Sequence, residues 1–172
     1  MKINKVERMD DNLSQIKKKV YDRCSLEILE YVKETESQEY CACRFTLNGQ
    51  NVLSRTAKVT PKKVGQFVTF WKRKENGPIE PYHESDEIDF YIVNVSKENK
   101  LGQFVFPKPL LIKKGIVSTE IKEGKRAFRV YPKWDITKSK QAQRTQKWQL
   151  NYFYEINDKT DLENVLELYK SQ

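Results

Sequence analysis

The sequence predicts a mixed α+β domain in which a central sheet, mixed or antiparallel, is flanked by helices. Three observations carry that expectation. Asn48-Gly49 separates two segments of alternating character, and both residues tolerate the positive φ of a two-residue hairpin turn. Ile88 to Val95 is a near-continuous apolar run, the pattern of a strand buried on both faces. Val64, Phe67, Val68 and Trp71 repeat at i, i+3, i+4 and i+7, the stripe of an amphipathic helix. The 172 residues suit a single domain spanning 1–172. At 38% hydrophobic and 12% aromatic, the chain can bury a core despite a mean hydropathy of −0.79.

Taken in order, residues 10–34 read as a helix. Asp10 or Asp11 caps its start, Leu13, Ile16, Val20, Leu26, Ile28, Leu29 and Val32 supply an apolar face, and a break falls near Asp22–Ser25. The hairpin follows, with strands at 39–47 and 51–59 and a register that sets Phe45 opposite Val52, Cys43 opposite Ser54, Cys41 opposite Thr56 and Glu39 opposite Lys58. Thr60-Pro61 opens a predicted helix over 60–74, a capping residue before a first-turn proline. The buried strand at 88–95 turns through Ser96–Lys100 into a strand over 103–106, which Pro107 and Pro109 stop. Residues 126–131 form another strand. Residues 138–150 read as a polar helix, 148–156 fits an alternating strand equally well, and Asp161–Tyr169 is a capped C-terminal helix.

Composition excludes several classes of function. No window reaches the ~18–20 apolar residues of a membrane helix, so membrane insertion is not expected. The first ten residues lack the apolar core of a signal peptide, which predicts a cytoplasmic protein. Three cysteines (Cys24, Cys41, Cys43) are too few for a disulfide framework, and Cys41-x-Cys43 lacks the further ligands of a zinc motif. The single histidine, His83, cannot build a His-rich zinc site; in a Pro-flanked acidic loop it is expected exposed. There is no phosphate-cradling glycine loop, dinucleotide fingerprint or nucleophile elbow.

Five separated runs give the chain a family likeness. Glu39-Tyr40-Cys41-Ala42-Cys43-Arg44-Phe45, Ala57 through Val68, Gly102-Gln103-Phe104-Val105-Phe106-Pro107-Lys108, Arg126-Ala127-Phe128-Arg129-Val130-Tyr131-Pro132 and Lys140 through Gln149 together resemble the bacterial MepB family, over roughly residues 30 to 154. That family is named for a gene accompanying a multidrug efflux pump and its repressor. The resemblance implies, by analogy, a fold like that of restriction-endonuclease-type nucleases.

Nucleases of that type hold a divalent metal with carboxylates and stabilise the developing phosphate charge with a lysine. Asp89 with Lys108, and less strongly Glu39 with Lys58, are the candidate catalytic pairs, with Asp89 and Glu80 as metal ligands and Mg2+ or Mn2+ as the ion. In both pairs the carboxylate expected two residues before the lysine is missing. The bland reading of each pair is a cross-strand ion pair contributing ~0.2–1 kcal/mol.

The broader signal is basic. Lys+Arg number 32 against 24 Asp+Glu, a net charge of +8, which favours nucleic acid, DNA foremost, as partner. Lys58, Lys62, Lys63, Arg73, Arg126, Arg129, Lys140 and Arg144 are the expected phosphate contacts. Gln141 and Trp148 are candidates for base recognition by hydrogen bonding and stacking. The reading is a DNA-binding protein with a nuclease-like core and an incomplete catalytic set. The alternatives are an active metal-dependent nuclease, or a non-enzymatic accessory protein docking an acidic partner or small ligand.

Overall fold

A computed structural model describes residues 8–170. Asp10 caps the first helix, its carboxylate accepting from Leu13 N. The helix α1 (Asp11–Ile16) continues through a wider turn at Lys17–Tyr21 and a tight one at Asp22–Cys24. Ser25 ends it in the left-handed conformation (φ 54°).

Beyond that break the chain extends instead of resuming a helix. Ile28–Lys33 is strand β1, bulged between Leu29 and Val32 with Glu30 at φ 53°. The bulge spoils the two-residue alternation that would have marked a strand, leaving apolar residues at intervals that imitate a helix.

The hairpin forms as its turn demands. Asn48 (φ 48°) and Gly49 (φ 82°) join β2 (Cys43–Leu47) to β3 (Gln50–Thr56), with Phe45 opposite Val52 and Cys43 opposite Ser54. The ladder ends there. Cys41 has a positive φ of 50° and Glu39 lies in a tight turn, so Glu39 and Lys58 do not pair across strands. Lys58 instead sits over the Tyr40 ring, 5.0 Å from its centroid.

The predicted 60–74 helix is also extended. Lys58–Val59 is β4, Gln66–Thr69 is β5 and Trp71–Arg73 is β6. Gln66, Val68 and Phe70 are buried in alternation. A glutamine at one of those inward positions hides the period of two; its amide is satisfied by donating to Ser96 O.

Ile79–Pro81 is β7, Phe90–Lys97 is β8 and Lys100–Pro107 is β9. Pro107 ends β9 and precedes a short helix α2 (Lys108–Lys113), with Pro109 in its first turn, where its missing N–H costs nothing. Ala127–Val130 is β10 and Lys140–Gln149 is α3, capped by Ser139. The 148–156 ambiguity resolves as both readings in succession: α3 ends, one tight turn follows, and Phe153–Glu155 is β11. Leu162–Lys170 is α4.

The main sheet has order β1-β2-β3-β8-β9-β11, with β3 and β8 parallel and the remaining neighbours antiparallel. A second sheet, β10-β5-β4, and a ribbon, β6-β7, complete the set. Both faces of the main sheet are covered. Phe90 and Ile92 pack with Leu13, Ile16, Val165 and Leu168 of the terminal helices. Tyr91, Val93 and Val95 pack with Val68, Phe70 and Val130 of the second sheet and with Leu111 of α2. Double coverage is why β8 is apolar at almost every position.

Among the buried polar residues, Gln103 and Asn94 stand inside the main sheet. Gln103 Oε1 accepts from the hydroxyls of Tyr21, Tyr154 and Tyr169, and its amide donates to Asn94 Oδ1. That network ties both terminal helices to the sheet.

Candidate functional site

The strand ends place Asp89 and Lys108 next to each other, but their side chains turn to different work. Lys108 N donates to Asp89 O (3.0 Å). The Asp89 carboxylate accepts from Asn51 N at 2.8 Å, holding the start of β3. The Lys108 ammonium donates to the carbonyls of Glu84 and Asp86, both at 3.0 Å, and pins that loop. Glu80 faces Lys72 at 3.8 Å. Asp89 and Glu80 share no metal-sized grouping among the described residues, where His83, Glu84 and Glu120 are the group that does. Asp89, Glu80 and Lys108 thus each make separate bonds to the strands and loops around them.

The basic residues give a different picture. A cavity of about 580 Å³ opens between the loop before β5, β10, the end of α2 and the face of α3. Five cations line it, Lys63, Lys114, Lys125, Arg129 and Lys138, and none of its lining residues is Asp or Glu. Phe128, Tyr131 and Trp148 supply aromatic wall.

Each wall is built by identifiable bonds. Buried Gln149 anchors α3 to the free edge of β10, its Oε1 accepting from Tyr131 N (2.9 Å) and its Nε2 donating to Arg129 O (3.0 Å). A side-chain amide thereby completes a strand edge that has no neighbouring strand on that side. Gln146 gathers the following loop, donating to Pro132 O and Asp135 O and accepting from Thr137. The Arg129 guanidinium holds the opposite rim, donating to Thr60 Oγ1 and to the carbonyls of Lys63, Val64 and Gly65. Gly65 is required here: its φ is +84°, and a Cβ would stand 2.7 Å from the Tyr131 ring. Lys114 Nζ lies over the Trp148 ring, 5.0 Å from its centroid.

Of the expected nucleic-acid contacts, the structure brings Lys63, Arg129, Gln141 and Trp148 into this one cavity. Lys62, Lys140 and Arg144 are exposed and outside its lining. Arg73 is bound to Glu36 and Arg126 to Glu123, away from it, while Lys58 stacks on Tyr40. Sequence reasoning missed Lys114 and Lys125, and left Lys138 out of the site. The signal lay in the segment 113–126, whose Lys113, Lys114, Lys122, Lys125 and Arg126 crowd one short connection.

A second cavity, about 770 Å³, is lined by Glu30, Glu34, Glu36, Asp86 and Glu87 together with Lys33, Arg44, Lys72 and Arg73. Its charges neutralise one another. Glu34 meets the buried Arg55 guanidinium at 3.0 Å and Lys72 meets Asp86 at 2.7 Å.

A mixed sheet covered on both faces, with a cation-lined cavity beside the edge strand β10 of the second sheet, thus defines an α+β domain. Residues 34–155 match the model of the MepB-like family, and the chain belongs to that family. It is similar to a protein whose crystal structure is described as MepB, at 38% sequence identity and a TM-score of 0.75, over 88% of this chain and 100% of that one. No curated protein matches the chain. Among the described residues no helix is long and apolar enough to cross a membrane.

Proposed function

We propose that the chain binds nucleic acid, DNA foremost, through the cavity between β10 and α3. The observation that carries this reading is five cations in one concave wall with no carboxylate among them. Elsewhere on the molecule many cations are paired with acids, as in Lys17–Asp22, Lys72–Asp86, Arg73–Glu36 and Arg126–Glu123. Unneutralised lysines around a hollow are suited to phosphate oxygens, whose counterions leave on binding. Gln141 on the wall can meet a base edge, and Trp148 offers a ring to an unpaired base. Arg129 contributes charge, but its donors are already committed, so the four lysines supply the mobile contacts.

Fluorescence anisotropy with duplex DNA, single-stranded DNA and RNA tests the reading. Four lysine contacts predict roughly 150-fold weaker duplex binding between about 50 mM and 200 mM salt. Affinity that is absent, or indifferent to salt, favours the accessory-protein alternative. Plasmid incubated with the protein and Mg2+ or Mn2+ separates binding from cleavage. Nicking that Lys108→Ala abolishes would establish the nuclease alternative.

A further inference from the structure

We infer that His83, Glu84 and Glu120 form a binding site for a divalent first-row transition ion, Zn2+ or one of similar size, on the side of the molecule bearing the β6-β7 ribbon. The three donor atoms lie within 4.8 Å of one another. His83 Nε2 and a Glu120 carboxylate oxygen are 3.4 Å apart. Two ligands each ~2.0–2.1 Å from a tetrahedral Zn2+ stand roughly 3.4 Å apart, so this pair already has the required spacing. Glu84 completes the set, its carboxylate already within 4.8 Å of both other donors and free to close by side-chain rotation.

The His83 ring sets Nε2 beside Glu120, 3.4 Å away. Ser85 N donates to Nδ1 at 3.1 Å, so without a metal Nε2 carries the ring hydrogen toward Glu120; ligation through Nε2 takes the other tautomer, with Nδ1–H donating to Ser85 Oγ at 2.8 Å. The two segments that supply the donors are fastened to each other. His83 and Ser118 form a parallel bridge, Glu84 N donates to Ser118 O and Ser118 N donates to Tyr82 O. Gly124 permits the second segment to fold this closely, since a Cβ there would stand 2.1 Å from Ile116 O.

Charge argues the same way. In a chain of net charge +8, no lysine or arginine pairs with either Glu84 or Glu120 among the described residues. Of the cations around it, Lys72 pairs with Asp86 and Glu80 and Arg126 with Glu123, while Lys74 and Lys122 line the same hollow as His83 and Glu120. Two unneutralised carboxylates beside one imidazole make a mixed N/O donor set that suits Zn2+ or Mn2+ and is poor for Mg2+, which prefers oxygen alone. Glu120 is largely exposed, so a bound ion keeps open positions for water.

Calorimetric titration of the chelator-stripped full chain with Zn2+, Mn2+ and Mg2+ tests the site. One equivalent of Zn2+ or Mn2+ is expected, with Mg2+ at least tenfold weaker. His83→Asn and, separately, Glu120→Gln should each weaken Zn2+ binding by roughly tenfold or more; the exposed Glu120 position keeps the second variant folded. Because His83 is the one histidine of the chain, its ring nitrogens are assignable by NMR, and Zn2+ should shift Nε2 far more than Nδ1. No binding overturns the proposal. So does stoichiometric Zn2+ that both variants retain, which would place the ion elsewhere on the chain.

Discussion

Gln149→Leu tests the construction of the cationic cavity. The substitution keeps size and apolar body but removes the amide that pairs with both Tyr131 N and Arg129 O. Each half-buried backbone group left unpaired costs about 1–2 kcal/mol. The leucine offsets part of that sum by its own burial in a position that is 0% exposed. The net expectation is a loss of about 2 kcal/mol, hence a Tm lower by roughly 4–8 °C for a domain of this size. Urea unfolding followed by tryptophan fluorescence measures it, with Gln143→Leu as control. Gln143 is exposed and makes one long bond to Thr137 O (3.4 Å), so its loss should stay within about 0.5 kcal/mol. If Gln149→Leu costs no more than the control, α3 is not held to β10 by this amide and the reasoning fails.

Three further outcomes are expected. Arg129→Lys cannot reproduce four bonds to Thr60, Lys63, Val64 and Gly65; it should destabilise by about 1–2 kcal/mol and speed amide hydrogen exchange over residues 60–65. Burial pushes the Cys43 thiol up to about 12, so native-state alkylation at pH 8 with mass readout should label Cys24 and Cys41 but spare Cys43. Burial also raises the Asp135 carboxyl above its ordinary 3.8, against the pull of Lys97. An acid raised on folding penalises the ionised native state, so stability falls as pH rises through the raised value. Asp135→Asn should therefore be more stable than wild type at pH 7, with the gain vanishing near pH 3.8; urea midpoints at both values check this.

The parts of the fold legible in the sequence are those where local signal and tertiary role coincide. Asn48-Gly49 gave both the turn and the register, and the β8 run announced burial on both faces. Two misread segments, 28–33 and 60–74, share a cause. In the first, a bulge at Glu30 breaks the alternation of β1; in the second, buried Gln66 stands where an apolar residue would have revealed the alternation of β5. The spacing of Val64, Phe67, Val68 and Trp71 then imitated a helix. The candidate site was half legible. Trp148, Gln141 and Lys63 were found because they lie in conspicuous basic or glutamine-rich runs. Lys114 and Lys125 reach the cavity only through the packing of the 113–126 segment, which no local pattern announces. Gln146 and Gln149, in the same glutamine-rich run as Gln141, are the fastenings of α3.

The salt dependence of DNA binding by the Lys114→Gln/Lys125→Gln/Lys138→Gln variant probes the central claim most directly. Plotted as log affinity against log salt, the intact protein should give a slope near roughly −3.6 for four lysine contacts, and the variant a slope shallower by about 2.7. Equal slopes for both proteins, with binding intact, would contradict the account, because the phosphates would then be held somewhere other than this cavity.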